Sequence, residues 1–297
     1  KILELEPEVM TLDVEMPRMD GIEFLKRLMP QYPIPVVVVS AIDGVVFGAL
    51  DAGAVDFVAK PDYRAGGKSE TLIDELVSKI KIASTAKLEH FGNKIGRRKV
   101  ISSNRHNKTD IVIAIGASTG GTEAIEQILR VLPRATPGLV IVQHMPPVFT
   151  KLYADRLNAS CAIEVREAQN GDKVEIGVAL IAPGDYHMRL KKVSNQYIVE
   201  CFKGEKVNGH CPSVDVLFES VALHGGKNAI GIILTGMGSD GAKGLLAMRQ
   251  KGARTLGQDE RTSVVYGMPK AAYALGAIEK QSPLERIPNL ICSYVRG

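Results

Sequence analysis

The chain has 297 residues, a length typical of about two domains, and its 45% hydrophobic and 24% charged side chains are those of a globular protein, not of a disordered or collagen-like one. No run of about 18 apolar residues is present, which argues against a membrane-embedded protein. No charged-then-apolar leader opens the chain, and the four cysteines form no C-x-x-C pair. We therefore expect a cytoplasmic protein with reduced thiols and no zinc site.

Charge is distributed unevenly, which indicates separate modules. Residues 1–62 carry 5 basic and 11 acidic side chains, residues 87–107 carry 6 and 1, and residues 108–297 carry 22 and 18. The basic stretch has few aromatic residues, so we interpret it as a solvated linker and expect no nucleic-acid partner.

Residues 1–86 alternate between strand and helix patterns, as in a doubly wound parallel sheet. Short apolar runs predict strands at Val9–Leu12, Val36–Val39 and Val55–Val58. Apolar residues at helical spacing predict helices at Ile22–Leu28, Val45–Ala52 and Leu72–Ile82. Periodicity is lost over 87–107, which we take as the linker.

Residues 108–297 are predicted to form a second parallel α/β domain with a Rossmann-like arrangement. The predicted strands are Ile111–Ile115, Leu139–Val142, Ile230–Leu234 and Arg254–Leu256. The predicted helices are Thr122–Val131, Lys151–Leu157, Val214–Leu223, Ala242–Lys251 and Pro269–Leu275. Turn signals within 163–201 instead predict antiparallel hairpins at an edge of the sheet.

The sharpest motif is Gly116-Ala117-Ser118-Thr119-Gly120, placed between a predicted strand and a predicted helix. Its G-x-S-x-G pattern is that of a nucleophile elbow, which exposes a serine on a tight turn. Two other interpretations remain open. The small residues also suit a phosphate cradle at a helix N-terminus, although the Gly-Lys-Ser/Thr of a P-loop is missing. Ser118 or Thr119 is also able simply to cap the helix.

A catalytic serine needs a base, and His144 is the best candidate. His144 comes just after the predicted strand Leu139–Val142, which is the next strand after the one that precedes Ser118. In a parallel sheet, ligands bind beyond the carboxyl ends of the strands. His187, His210 and His224 lie in predicted turns or near helix ends and show no such placement.

A third group must orient the imidazole, and Asp240 is the preferred candidate. It lies among three glycines in the segment that follows the strand Ile230–Leu234. The alternative is a carboxylate that only forms a turn or caps the helix after it. Asp185 and Asp259 are rivals, but both belong to turns away from this edge.

Residues 108–297 resemble the catalytic domain of the chemotaxis receptor protein-glutamate methylesterases (CheB). The matching segments are Gly116–Gly121, Gln143–Pro146, Cys211–Asp215 and Thr235–Gly241. The resemblance implies that Ser118 is the nucleophile, His144 the base and Asp240 the orienting acid. It also implies an oxyanion site formed by backbone N–H groups near Thr119 and Met237. No cluster of His, Cys or carboxylates has metal-ligand spacing, so we expect hydrolysis without a cofactor.

Residues 1–86 resemble the response-regulator receiver domain that precedes the enzyme in that family. Asp13 matches the phospho-acceptor, Ser40 the switch hydroxyl and Lys60 the lysine that binds phosphoryl oxygens. A receiver has five β-α units, whereas only three strands fit before the linker. We therefore expect a truncated receiver that lacks the acidic pair for Mg²⁺. An intact receiver would use Mg²⁺ for phosphorylation. We accordingly expect that small phosphodonors do not activate this chain.

The resemblance implies hydrolysis of γ-glutamyl methyl esters, and deamidation of glutamines, on cytoplasmic helices of methyl-accepting chemoreceptors. It implies a chemotaxis histidine kinase as phosphodonor and control of the enzyme by receiver phosphorylation. A transcriptional response regulator is the first alternative, but 108–297 has an α/β pattern instead of a small helix-turn-helix pattern. A nucleotide-binding module at Gly116–Gly121 is the second, and the absent lysine argues against it.

Overall fold

A computed structural model describes residues 2–16, 19–41, 44–60, 69–88, 100–101 and 110–296. The chain divides into two compact units, Lys1–Lys94 and Ile95–Gly297. Most of the predicted linker, 87–107, lies outside the described residues. The predicted domain boundaries at 86 and 108 therefore stay predictions.

The first unit contains a three-stranded parallel sheet in the order β1-β2-β3. The central strand β2 (Val36–Ser40) begins with three fully buried valines, as expected for a β-branched run covered on both faces. The other elements are α1 (Ile2–Leu5), β1 (Met10–Asp13), α2 (Gly21–Leu28), α3 (Val45–Asp51), β3 (Asp56–Ala59) and α4 (Ser69–Ala83). The predicted strands and helices of this unit are thus confirmed to within a few residues at their ends, and α1 is additional.

The second unit is built on a seven-stranded sheet in the order β12-β11-β10-β4-β5-β7-β6. Every adjacent pair in this sheet is parallel. Its strands are β4 (Val112–Ala117), β5 (Leu139–Gln143), β6 (Glu164–Glu167), β7 (Val178–Ile181), β10 (Ala229–Ile233), β11 (Arg254–Gln258) and β12 (Lys280–Ser282). Strands β5 to β7 lie on one side of β4 and β10 to β12 on the other, so the sheet is doubly wound and its switch point lies between β4 and β10.

Helices pack on this sheet and complete its core. They are α5 (Gly121–Leu129), α6 (Pro147–Ser160), α7 (Val214–His224), α8 (Ala242–Gln250), α9 (Met268–Ala274) and α10 (Ile287–Arg296), with short 3₁₀ helices at Gly226–Asn228 and Leu284–Arg286. All residues of β4, β5 and β10 are buried. Such fully covered strands read as continuous apolar runs, which is why the sequence predicts them well.

The region predicted as antiparallel hairpins divides into two parts. β8 (His187–Val193) and β9 (Gln196–Phe202) form an antiparallel pair, but as a separate two-stranded sheet. By contrast, β6 and β7 are parallel strands of the main sheet, with β7 paired to β5. The physical reason is burial: all four residues of β7 are buried, whereas β8 and β9 show the alternation of a half-covered hairpin.

The end of the second unit contains elements that the sequence analysis did not predict, β12 and α10. In α10 the buried residues Ile287, Ile291 and Val295 recur every fourth position and form one apolar face. Among the described helices, none combines the length and apolar character that crossing a bilayer demands.

Candidate active site

Ser118 and His144 follow neighbouring strands of the main sheet. The last residues of β4 and β5, Ala117 and Gln143, are partners in the parallel register. The His144 N–H donates to the Ala117 carbonyl at 3.1 Å, and the Gln143 side-chain amide donates to the Ser118 carbonyl at 3.0 Å. The structure thus brings the predicted nucleophile and base to one edge of the sheet.

The segment after β10 lies on the other side of Ser118. The Ser118 N–H donates to the Thr235 carbonyl at 3.0 Å. A Cβ atom placed on Gly236 would lie 2.6 Å from Ser118 Cβ, so only a glycine permits this close approach. The same segment continues to Asp240, which brings the predicted acid to the edge of the sheet that carries the serine and histidine.

Asp240 binds the imidazole directly, with 2.9 Å between His144 Nε2 and Asp240 Oδ2. The two side chains are 8% and 1% exposed, so the ion pair formed when His144 is protonated is shielded from water. Four further donors hold the carboxylate. They are Asn208 Nδ2 at 2.8 Å, Ser213 Oγ at 2.8 Å, Val214 N at 2.7 Å and Asp215 N at 3.2 Å.

These donors keep Asp240 ionised. Burial disfavours the charged carboxylate, but the hydrogen bond and charge of His144, with donors from Asn208 and Val214, hold the pKa of Asp240 well below its usual value. The carboxylate also lies at the N-terminus of α7, whose N-cap is Ser213, where the helix dipole favours negative charge. Asp240 is therefore an anion available to stabilise an imidazolium.

The hydrogen bond through Nε2 defines which atom of His144 is available as a base. Nδ1 is buried and has no hydrogen-bond partner within the described residues. Because an ionised Asp240 accepts from Nε2–H, the lone pair of neutral His144 is on Nδ1. No hydrogen bond joins Ser118 Oγ and His144 in the part of the chain that the structure describes, and catalytic contacts of this kind often tighten only with substrate bound.

The two residues predicted to form the oxyanion site each follow in the chain a residue at the nucleophile, either Ser118 itself or Gly236, which approaches Ser118 closely. Thr119 follows Ser118 directly and is 5% exposed, and Met237 follows Gly236. The Ser118 N–H is already used by Thr235, so it is not available as an oxyanion donor. The helix α5 begins three residues after Ser118, and its N-terminal dipole favours negative charge here.

The alternatives from the sequence are less well supported by the geometry. Two amides of the proposed phosphate cradle are occupied internally, since Ser118 N donates to Thr235 and Gly121 N to the Ser118 carbonyl at 2.7 Å. Of the rival carboxylates, Asp185 is exposed, and Asp259 accepts from Thr262. Neither of them hydrogen-bonds His144.

Two residues of the site were not found from the sequence, Asn208 and His210. Their turn is closed by reciprocal backbone bonds between Val207 and His210, each 3.0 Å. The His210 ring stacks on His144, with 3.7 Å between ring centroids and an interplanar angle of 10°. His210 lies in a turn, as the sequence predicts, but its contact with the candidate base was not predicted. The Asn-Gly pair at 208–209 is a hairpin-turn signal that would have revealed the turn, although not where it docks.

The first unit carries a second polar group at the carboxyl ends of its strands. Lys60 Nζ lies 2.5 Å from Asp13 Oδ2, and Asp13 Oδ1 accepts from the Glu15 N–H. The hydrogen bond from Lys60 lowers the pKa of Asp13. Ser40 ends β2 and is buried, and its carbonyl accepts from the Lys60 N–H at 2.8 Å. The three predicted receiver residues thus lie at one edge of the first sheet.

The described side chains around Asp13 do not form a set of Mg²⁺ ligands. No group of three His, Cys, Asp or Glu ligands surrounds Asp13 within the described residues. Both of its carboxylate oxygens are engaged, by Lys60 and by the Glu15 N–H. The described donor set does not fit a resident Mg²⁺, and we derive no step through the metal.

Comparisons with known proteins agree with this architecture. The family model described as CheB methylesterase matches residues 113–291, and the one described as response regulator receiver domain matches residues 1–65. The protein-glutamate methylesterase/protein-glutamine glutaminase 2 of Syntrophomonas wolfei is 61% identical over 295 residues, covering 99% of this chain and 86% of its own. A similarly named protein of Syntrophotalea carbinolica is 53% identical over 304 residues, covering 98% and 85%.

A solved structure supports the fold of the second unit. The catalytic domain of the Thermotoga maritima CheB methylesterase matches with a TM-score of 0.61 and 37% identity, covering 62% of this chain and 98% of that one. Fold and matches together define a response regulator with an enzymatic output domain. The chain belongs to the CheB methylesterase family, and its predicted class, a protein-modifying hydrolase, is confirmed.

Proposed function

We propose that Ser118, His144 and Asp240 form a catalytic triad that hydrolyses γ-glutamyl methyl esters of proteins and deamidates glutamines. The observation that carries the proposal is the 2.9 Å hydrogen bond between His144 and an ionised Asp240, at the sheet edge where Ser118 is held. The names of the relatives, protein-glutamate methylesterase/protein-glutamine glutaminase, supply the substrate class.

In the first half of the reaction Ser118 Oγ attacks the ester carbonyl while His144 Nδ1 takes its proton. The imidazolium that forms is stabilised by Asp240 through Nε2–H. Backbone N–H groups of Thr119 and Met237 bind the oxyanion, a contribution of about 3–4 kcal/mol per donor in comparable enzymes. The C–O bond to the methoxy group then breaks, and Nδ1 returns the proton so that methanol leaves.

In the second half water attacks the acyl-serine, again with His144 as base. The tetrahedral intermediate collapses to release the glutamate carboxylate, and Ser118 recovers its proton. With a glutamine substrate ammonia leaves in place of methanol, and the steps are otherwise the same. Every step uses groups of this chain, and we propose that no metal or organic cofactor takes part in hydrolysis.

The substrates we propose are methyl-accepting chemoreceptors, modified on their cytoplasmic helices, so the protein would act in the cytoplasm. In a protein with an intact receiver domain, control is proposed to come from phosphorylation of Asp13 by a chemotaxis histidine kinase. Lys60, already paired with the carboxylate, would then bind phosphoryl oxygens.

The test is methanol release from membranes that carry methylated receptors. Ser118→Ala should abolish release, because removal of a triad nucleophile costs several orders of magnitude. Ser160→Ala is the matched control, since Ser160 is an exposed serine at the end of α6 and its loss should leave the rate unchanged. Retention of more than about a tenth of the activity in Ser118→Ala would overturn the triad.

A further inference from the structure

His210 touches the proposed base on the face of its ring. The centroid separation of 3.7 Å and the angle of 10° describe two imidazoles stacked in van der Waals contact. Asp240 holds the same ring in its plane through Nε2. A single hydrogen bond at Nε2 leaves the ring able to tilt about that contact, and the stacked ring of His210 opposes such tilting.

The position of His210 is itself fixed to the site. Asn208 and Gly209 have φ values of 53° and 83°, the left-handed pair that a type I′ turn requires. The Asn208 side-chain amide donates to Asp240 Oδ1 and to Asp215 Oδ2, each at 2.8 Å. One short turn therefore connects the orienting acid with the ring that covers the base.

We propose that His210 is a positioning residue: its flat ring keeps His144 Nδ1 directed at Ser118 during both proton transfers. The proposal rests on the function proposed for Ser118, His144 and Asp240. The role depends on the flat face of the His210 ring and not on whether that ring gains or loses a proton. A flat ring without nitrogens should therefore serve, whereas a side chain of similar bulk that is not planar should not.

The experiment compares three variants in the full chain, with methanol release measured over a range of methylated-receptor concentrations. His210→Ala should lower kcat by about 10- to 100-fold, the cost of misplacing a catalytic group by about 1 Å, with little change in KM. His210→Leu fills the space without a flat face and should fall similarly. His210→Phe restores the face and should keep kcat within about threefold of the unmodified protein.

A second measurement separates positioning from folding. The rate at which a fluorophosphonate labels Ser118 depends on the base but not on receptor binding, so it should follow kcat across the three variants. Thermal unfolding checks that each variant is folded. If Phe loses as much activity as Ala, or if Ala and Leu retain full kcat, the proposal is overturned.

The Ser118 and His210 variants together show whether the role of His210 or the triad itself is wrong. If the unmodified chain releases methanol and Ser118→Ala does not, the triad stands whatever the His210 variants do. If Ser118→Ala remains active, the proposed function fails first. If only His210→Ala unfolds, the comparison of Leu with Phe still decides, because both fill the space and only one has a planar face.

Discussion

Replacement of the orienting acid by its amide, Asp240→Asn, is the sharpest test of how the site is built. The carboxylate accepts three hydrogen bonds at Oδ1 and two at Oδ2. Asparagine has one acceptor oxygen and an NH₂ group, so either orientation turns a donor toward at least two existing donors. If NH₂ takes the position of Oδ2, it faces Val214 N–H and the Nε2–H of His144.

His144 is able to relieve half of this conflict by moving its proton to Nδ1. That tautomer cannot take the proton of Ser118, so kcat should fall by about 10³- to 10⁴-fold, similar to the loss for the equivalent change in a well-studied serine protease. The Val214 N–H remains buried without an acceptor, which should lower the free energy of unfolding by about 1–3 kcal/mol. Methanol release and urea unfolding at pH 7 measure the two effects.

The stability lost in Asp240→Asn should become smaller at low pH. The folded-state pKa of Asp240 is depressed, so its stabilisation is present above the unfolded pKa of about 3.9 and is lost as the pH falls through the folded value. The difference in unfolding free energy between the two proteins should therefore narrow below about pH 4. Asp185→Asn is the matched control, since Asp185 is exposed at a φ of 60° that asparagine tolerates. Full activity in Asp240→Asn, or equal losses in both variants, would refute this account.

Three further outcomes are expected. Gly236→Ala should reduce kcat for methanol release by about 10- to 100-fold, because its Cβ would lie 2.6 Å from Ser118 Cβ and would displace the serine; a normal rate would show that the two segments are free to separate. Lys60→Met should raise the pKa of Asp13, since Lys60 is the main cause of its lowering; an unchanged carboxyl titration by NMR would contradict the contact. Cys201 should react slowly with iodoacetamide at pH 8, because burial raises its pKa to about 12; mass spectrometry that finds it labelled as fast as in urea would contradict this burial.

The sequence predicts the central features of the site because they follow from the sheet itself. Ser118, His144 and Asp240 each come shortly after an uninterrupted apolar run, and such runs form parallel strands whose carboxyl ends share one edge. The same rule groups Asp13 with Lys60. Side chains at strand ends are therefore predictable without knowing the helices.

Other features depend on contacts that no local pattern encodes. The Asn-Gly signal at 208–209 specifies a turn, but its docking depends on Asp240, 32 positions away from Asn208. Likewise, the turn residues between β6 and β7 suggested a hairpin, whereas β7 pairs in parallel with the distant β5. Burial of the whole strand decided that pairing, and burial is a property of the complete fold.

The span of chain between His144 and Asp240 bears on how activity emerges during folding. Ser118 and His144 lie on consecutive strands, but 96 positions separate His144 from the carboxylate that orients it. Contacts of such long range form late in folding, because the long segment between the two residues must first lose conformational entropy. A partly folded chain with β4 and β5 assembled would hold the serine and histidine together without their acid. Recovery of esterase activity on refolding should therefore lag behind the appearance of parallel-sheet structure, and the lag would report when the second half of the sheet docks.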